Sequence, residues 1–518
     1  MLNNISAQAD INLKLERIMH IEHKSSITEN SFNVLIPFYS KTAIENFTFL
    51  KNYIKEGESD IIIDALNKVF DAESKEQAVY SFPTKTGLLG VHLVPIQEKD
   101  DYRKVKNTFR ALASTLNKSK PSKNNYLIFD VPSDSIPGDL KQAMLNGLYL
   151  HDYSVGIYKS GSQDPQTEST LYILSNENNK EDISALTFKA KQLAISQKDI
   201  FKLVDAPSNK KSPAVLAAYA EKIAEEGSDR LHTQVMHKAE IIEQGFHGLL
   251  AVNQASPTPP VFIKLEYRSG KPNAKHVGIV GKGVTFDTGG ISLKRSSNLH
   301  LMKSDMGGGA AVLGLMRMAD QLQLDINLTG IVPATDNSIG QHAIKPSDVI
   351  SSYSGKTIEI IDTDAEGRLL LADGLSYMEQ NYNPDVLIDI ATLTGSCITA
   401  LGTFAAGFIT NNPNMSSRLM ASGYKTGEKV WELPNWDEYK SLIQSNIADV
   451  KNFSGYPRAG AITAAKFLEH FIGDHKSWAH LDIAGMAMEN APESSNQVAT
   501  AFGLHLLLDF IEAYQEEA

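Results

Sequence analysis

Apolar residues along the chain fall into short runs separated by polar, turn-rich stretches, and the spacing of these runs changes partway through. In the first third, "YLIFDVP" (126–132), "YSVGIY" (153–158) and "STLYILS" (169–175) are rich in β-branched and aromatic residues, which predicts buried strands. The polar run "SNENNKED" (175–182) then marks the expected boundary between an N-terminal domain, 1–180, and a C-terminal domain, 181–518. Next, "ISALTFKAKQLAISQKDIFKLV" (183–204) has helical periodicity and predicts a helix linking the halves, within 181–210. Further on, "HVGIVGKGVTF" (276–286), "INLTGIVP" (326–333), "DVLIDIATL" (385–393) and "WAHLDIAG" (478–485) read as strands. "GGGAAVLGLMRMADQL" (307–322) and "GRLLLADGLSYMEQ" (367–380) read as helices between them. Continuously apolar strands must be buried on both faces. Their alternation with helices predicts an α/β fold of two domains, each a mostly parallel or mixed sheet flanked by helices.

Such sheets carry their chemistry beyond the carboxyl ends of the strands, in the loops that enter helices. Charged residues recur at that address. "VGKGVTFDTGGISLK" supplies Lys282, Asp287 and Lys294, and "MKSDMGGG" places Asp305 before a predicted helix. "DTDAEGRLLLADGL" (362–375) crowds Asp362, Asp364 and Glu366 ahead of Arg368 and an apolar helical run. Taken singly, Asp305 and Asp364 read as helix N-caps and Asp373 as an exposed acid. Gathered in one cleft, Asp287, Asp305, Asp364 and Glu366 would repel one another and raise their pKa values unless cations compensate. Two divalent ions about 3.5–4 Å apart are the usual remedy. Oxygen-rich ligation suits manganese or magnesium, and zinc accepts it too. Lys282, alone an ordinary strand-end lysine, becomes a candidate nitrogen ligand beside such ions, because desolvation and nearby cations lower a lysine's pKa. Lys294 could stay charged and stabilise an oxyanion.

Other motifs fail on inspection. Gly283 follows Lys282 where a phosphate loop needs Ser or Thr, and Phe286 breaks the dinucleotide-binding glycine pattern. There is no G-x-S-x-G elbow and no H-E-x-x-H pair. "HIEH" (20–23) reads as a solvated helix face, and "HFIGDH" (470–475) is equally weak as a metal site. The glycines 307–309 read as a close-packed helix entrance. The single cysteine, Cys397, excludes an internal disulfide, fits a reducing compartment and reads as a small buried residue. Composition narrows the partners. With 518 residues, 42% hydrophobic and 21% charged, the chain is globular and multidomain. A formal charge of −12 argues against nucleic acid. No stretch approaches the roughly 20 apolar residues that span a bilayer, and the N-terminal residues resemble neither a signal nor a transit peptide. A cytoplasmic protein is expected.

"VGKGVTFDTGGISLK", "LMKSDMGG", "DTDAEGRLLLADGL", "ATLTG" and "WAHLDIAG", in this order and spacing over about 200 residues, resemble the leucyl (cytosol) aminopeptidase family of two-metal exopeptidases. "AGAITAAKFL" (459–468) and "LVDAPSN" (203–209) add to the resemblance. The N-terminal third is similar only in size and α/β character, which implies a macro-domain-like unit. The resemblance implies that Lys282, Asp287, Asp305 and Glu366 hold a tightly bound metal. It implies a second, exchangeable metal on Asp287, Asp364 and Glu366, the ions being zinc or manganese, with cobalt or magnesium as substitutes. Arg368 would hold a bicarbonate acting as general base, an ion pair with Glu366 being its structural alternative. Lys294 would polarise the scissile carbonyl. Met302, Thr392 and Gly395 would line the first side-chain pocket, and Leu393 would offer its carbonyl to substrate. Small peptides with a free N-terminus, Leu or Met preferred, and a homohexameric assembly follow from the same resemblance. A catalytically inactive relative or a nucleic-acid-binding role are the alternatives. Two departures stand out: Asp362 where the family usually has Asn, and "NQVATAFG" (496–503) in place of a more glycine-rich stretch.

Overall fold

The computed structural model describes residues 180–516 apart from 457 and 491–496. Before these it describes 20–24, 32–39, 51, 60, 62–64, 66, 77–83, 88–97, 99–119, 124–128, 136–153, 155, 158, 160 and 170–174. The chain divides into two compact units, with the division falling between Ile195 and Ser196, inside one long helix.

Among the described residues of the N-terminal unit six strands form one sheet in the order β1-β6-β5-β2-β4-β3: β1 (His20–Lys24), β2 (Phe32–Tyr39), β3 (Ala78–Pro83), β4 (Leu88–Ile96), β5 (Asn124–Ile128) and β6 (Thr170–Leu174). All neighbours are parallel except β3 and β4. Helices α1 (Tyr102–Ser119) and α2 (Gly138–Tyr149) belong to the same unit. Two sequence expectations fail here. "HIEH" is a strand, β1, paired with β6, which removes the helical spacing of its histidines. In 153–158 the described positions 153, 155 and 158 are coil, bend and turn, not strand, the rest of the run lying outside the described residues; the chain leaves α2 through turns that bond Leu150 N–H to Asn146 O and Tyr153 N–H to Leu150 O. "YLIFDVP" and "STLYILS" do contain strands, β5 and β6.

The long helix α3 (Lys180–Asp205) contains the predicted 183–204 segment. After it come α4 (Pro213–Glu225), β7 (Leu231–His237), α5 (Lys238–Gln244), α6 (His247–Asn253), β8 (Val261–Tyr267), β9 (His276–Gly281), β10 (Gly283–Asp287), α7 (Gly307–Leu322), β11 (Asn327–Asn337), β12 (Val349–Ser351) and β13 (Thr357–Glu359). Next are α8 (Gly367–Tyr382), β14 (Val386–Ala391), α9 (Gly395–Leu401), β15 (Ala406–Thr410), α10 (Pro413–Thr426), β16 (Val430–Glu432), β17 (Val450–Lys451), α11 (Gly460–Glu469), β18 (Trp478–Asp482), β19 (Met488–Asn490), β20 (Gln497–Ala499) and α12 (Leu504–Glu516). Nine strands form the main sheet of this unit, in the order β16-β15-β18-β14-β9-β11-β8-β7 with β10 beside β11. Its centre, β18-β14-β9-β11, is parallel. Antiparallel pairs flank it, β15 on β18 and β8 on β11, so the sheet is mixed.

Both faces of the central strands are covered. A Cβ at Gly281 or Gly330 would strike Val312 of α7, whereas one at Gly278 would strike Met378 of α8. This burial explains why β14, "VLIDIA", is apolar without alternation and wholly buried. The chain runs from β9 to its neighbour β11 and later returns to β14 on the other side of β9. That reversal of direction is the topological switch point, where a crevice opens beyond the strands' carboxyl ends.

The apolar run 276–286 breaks at Lys282 into β9 and β10, a division the hydrophobic pattern does not show. There the main chain bonds away from the β11 ladder. Lys282 N–H donates to Ile390 O, and Gly309 N–H donates to Lys282 O. The glycine-rich entrance of α7 permits this approach, since a Cβ on Gly308 would lie 2.0 Å from Ile390 O.

Candidate metal centre

The crevice collects charged residues from several elements. Lys282 joins β9 to β10, Asp287 ends β10, and Lys294 lies in the following loop. Asp305 follows a short 3-10 turn (Leu299–Ser304), and Asp364 and Glu366 lie at the entrance to α8. The N-cap reading of Asp305 and Asp364 fails: neither α7 nor α8 has a side-chain cap. Their carboxylates turn into the cleft.

Lys282 Nζ lies 2.8 Å from Asp305 Oδ2 and 2.8 Å from Glu366 Oε1, and donates to Thr392 O at 2.9 Å. Lys294 Nζ lies 2.8 Å from Asp287 Oδ2 and also pairs with Asp364 Oδ1. Asp287, Asp364 and Glu366 each present an oxygen within 4.8 Å of the others'. Asp287, Asp305 and Glu366 are buried, while Asp364 is partly exposed. Lys282 can lie this deep because Gly367 faces it; a Cβ there would sit 2.4 Å from its Cε.

Second partners hold the carboxylates in place. Asp287 Oδ1 accepts from Gly289 N–H and Asn337 Nδ2, each at 2.8 Å, and Asp305 Oδ1 accepts from Thr392 Oγ1 at 2.8 Å. Thr363 Oγ1 donates to Gly289 O and accepts from Ser292 N–H, which knits the Asp287 loop to the Asp364 loop. Asp305 Oδ2, Asp364 Oδ1 and Glu366 Oε1 meet only the lysine ammonium groups, and Glu366 Oε2 is buried with no hydrogen-bond partner. Atoms of this kind ordinarily have a partner, and hard cations are suitable ones for carboxylate oxygens.

The electrostatics agree. Burial, then the negative charge of Glu366, raises Asp287. Burial raises Asp305 well above the usual carboxylate range, and burial with Asp287 beside it pushes Asp364 up to about 7. Burial would raise Glu366 too, but Lys282 and Lys294 outweigh it and lower its pKa. Burial pulls both lysines down, and the surrounding carboxylates more than offset this, holding each charged. Four acids thus share two ammonium groups in a largely buried cleft, and all four can ionise together only if further cations join them. The residues fit divalent cations.

Arg368 is also buried. Its Nη1 donates to Asn452 O at 2.7 Å, and its Nε has no partner. Glu366 pairs with Lys282 rather than with Arg368, so the ion-pair alternative does not hold. Thr392 places its hydroxyl on Asp305 and its methyl 3.7 Å from a Cβ built on Gly307, near Ile483 and Ala487. Leu393 N–H donates to Asp482 at 3.1 Å. Met302 is half-buried in the 3-10 turn, and Gly395 opens α9 facing free space. Asp362 is partly buried and caps the turn, its Oδ1 accepting from Asp364 N–H at 2.9 Å.

Asp373 is not exposed. It is fully buried, and its two oxygens accept from Leu249 N–H and Tyr353 N–H. His475 has both ring nitrogens engaged, with Pro384 O and Ser477 N, so "HFIGDH" gathers no site there. Cys397 is buried, and burial with Asp482 nearby pushes its thiol up to about 12, leaving it inert.

Two supporting residues escaped sequence reasoning. Asn452, fully buried, donates to Asp362 O and Ala365 O and accepts from Ile361 and Asp362 N–H, so one side chain staples the Asp364 loop. Nothing in "KNFSG" signals this. Asp482 accepts from Leu393, Thr394 and Ala484 N–H and from Thr394 Oγ1. Its signal was present: an acid inside an apolar strand must be satisfied by something specific.

The comparisons agree with this geometry. The family model described as cytosol aminopeptidase family, catalytic domain, matches residues 200–508. A relative from Chlorobium phaeobacteroides, named "Probable cytosol aminopeptidase", is 38% identical over 490 residues, covering 90% of this chain and 96% of its own. Relatives of the same name from Chlorobaculum tepidum and Chloroherpeton thalassium are 43% identical over 386 residues and 48% over 324. These matches cover 73% and 62% of this chain, and 76% and 63% of the relatives, the last falling short of two thirds of its length. A buried carboxylate–lysine cluster at the sheet's switch point, inside a segment matched from end to end by one family model, leads to one conclusion: the chain belongs to the cytosol aminopeptidase family.

Proposed function

We propose that this member of a family of metal-dependent aminopeptidases releases N-terminal residues, Leu or similar apolar ones preferred, from small peptides. The observation that carries the reading is the convergence of Lys282, Asp287, Asp305, Asp364 and Glu366 on one largely buried cleft, where four carboxylates share two ammonium groups and Glu366 Oε2 has no partner. Asp287, Asp305 and Glu366 would hold one divalent ion, with Lys282 joining them as a neutral amine once that ion replaces its ammonium charge among the acids, and Asp287, Asp364 and Glu366 would hold a second, each zinc, manganese, cobalt or magnesium. When bound, such ions supply Lewis acidity, lowering the pKa of water and polarising a carbonyl.

The chain's own residues do the rest. Lys294, held charged by the acids around it, stabilises negative charge as it develops on the scissile carbonyl oxygen. Arg368, with a buried Nε lacking a partner, fits a small anion such as bicarbonate, which would accept the proton of the attacking water. Leu393 offers its carbonyl to the substrate while Asp482 fixes its amide. Met302, Thr392 and Gly395 line the pocket for the first side chain. An apolar pocket discriminates by only about 1–3 kcal/mol per methylene, so the preference is broad.

We extend the reading to assembly and location. Exposed Phe404, Trp436 and Tyr456 suit a self-associating subunit, in keeping with a homohexamer. Among the described residues no helix is long and apolar enough to cross a membrane, which accords with a cytoplasmic enzyme. The N-terminal unit, residues 1–180 by the sequence boundary, would be macro-domain-like.

The experiment is hydrolysis of leucine-p-nitroanilide, with chelator and with manganese, zinc or cobalt restored. Turnover that chelation abolishes and metal restores is expected. No turnover with any of these metals would defeat the reading.

A further inference from the structure

Lys211 is a buried lysine that the proposed chemistry does not use. Only 2% of it is exposed, and its Nζ meets two main-chain oxygens, Val204 O at 3.2 Å and Lys303 O. No carboxylate pairs with it among the described residues, although a buried ammonium without a counter-ion is costly. Burial pulls its pKa down to about 7. A neutral amine has two N–H groups, which matches the two carbonyls.

The location explains the arrangement. Val204 and Asp205 end α3, where the last carbonyls of a helix lack intrahelical partners and carry the negative end of the macrodipole. Lys211 takes Val204 O. Lys303 returns the contact, its Nζ donating to Asp205 O at 2.7 Å. Each lysine thus ties the end of α3 to the 3-10 turn Leu299–Ser304, one through its side chain and the other through both side chain and carbonyl. Asp205 Oδ1 also accepts Ala499 N–H at 3.0 Å, so the same helix end holds β20. The pinned turn contains Met302 and runs directly into Asp305.

We propose that Lys211 is a positioning residue. With Lys303 it clamps 299–305 to the carboxyl end of α3, and so fixes where Met302 and Asp305 stand. The link to selectivity rests on the aminopeptidase reading, in which Met302 lines the first pocket; the clamp itself does not.

The test uses the full chain carrying K211M, with K303M as a second variant. Amide hydrogen exchange is followed across 299–306 in metal-free protein, and kcat/KM is measured for the p-nitroanilides of Ala, Leu, Met and Phe. K211M leaves Val204 O and Lys303 O without their donor, so Tm should fall by a few degrees while the chain still folds. Exchange across 299–306 should quicken by about tenfold while the strands of the main sheet stay protected. The Leu-to-Ala ratio of kcat/KM should shift severalfold, and K303M should reproduce both changes. Unchanged exchange at 299–306, or acceleration spread evenly over the C-terminal unit, would overturn the clamp. If K211M fails to fold, K303M decides the matter by the same criterion. A wild type inactive on every p-nitroanilide would defeat the functional reading, and the exchange result would still decide the clamp.

Discussion

Asp373 shows how much a single residue's surroundings govern its chemistry. By position it looks like a helix-surface acid, yet it sits wholly inside the C-terminal unit, tying α8 to the start of α6 and to Tyr353. Burial raises its pKa to about 7, and the backbone N–H groups of Leu249, Tyr353 and Gly248 oppose that rise without cancelling it. The folded protein therefore binds a proton that the unfolded chain has released, between the ordinary carboxylate value of 3.8 and about 7. In that window this group's contribution to stability falls as pH rises. D373N keeps the size but replaces one acceptor with an N–H₂ group facing a backbone N–H, a loss of about 1–3 kcal/mol. Thermal melts should show D373N below wild type at pH 5, with the gap narrowing toward pH 8, because only wild type loses stability on ionisation. A gap that is constant or widens with pH would contradict this account.

At the level of elements, the site is held by loops that are stapled across the cleft. Asn452 makes four side-chain hydrogen bonds to the backbone at 361–365 and takes Arg368 on its carbonyl. N452A keeps that carbonyl but leaves buried polar groups of the loop unpaired. Manganese affinity should drop about 10–100-fold, as loss of ligand support commonly costs, and calorimetric titration reads this. Unaltered affinity would show that the loop holds its shape unaided. Such staples explain what was legible in the sequence. The helices 307–322 and 367–380 and the central strands follow from the hydrophobic pattern, and the proposed ligands follow from charged residues recurring in the loops that enter helices. Asn452 lies 86 residues from Glu366, and the long-range pairing of β13 with β17 brings it there. The break at Lys282 was hidden because its cause, the bond to Ile390 O, is long-range. Asp373 misled for a similar reason, its partners lying over 100 residues away in Leu249 and 20 away in Tyr353. Apolar pattern reports burial of an element, but it does not say which polar side chain reaches a distant backbone.

On the scale of the molecule, the C-terminal unit gathers every proposed ligand from the central parallel strands and the turns and helix entrances beside them. Four acids outnumber two ammonium groups in that crevice, and Lys282 and Lys294 meet the carboxylate oxygens that bound cations would otherwise neutralise. The most direct measurement is metal content: the purified chain is stripped, re-equilibrated with manganese, desalted and analysed for bound metal per chain, beside E366Q. About two ions per chain are expected for wild type, the number that two shared carboxylate sites imply, with a clear loss in E366Q. A wild type that retains no metal, or an E366Q variant that retains as much as wild type, would contradict the claim that these residues form one binuclear centre.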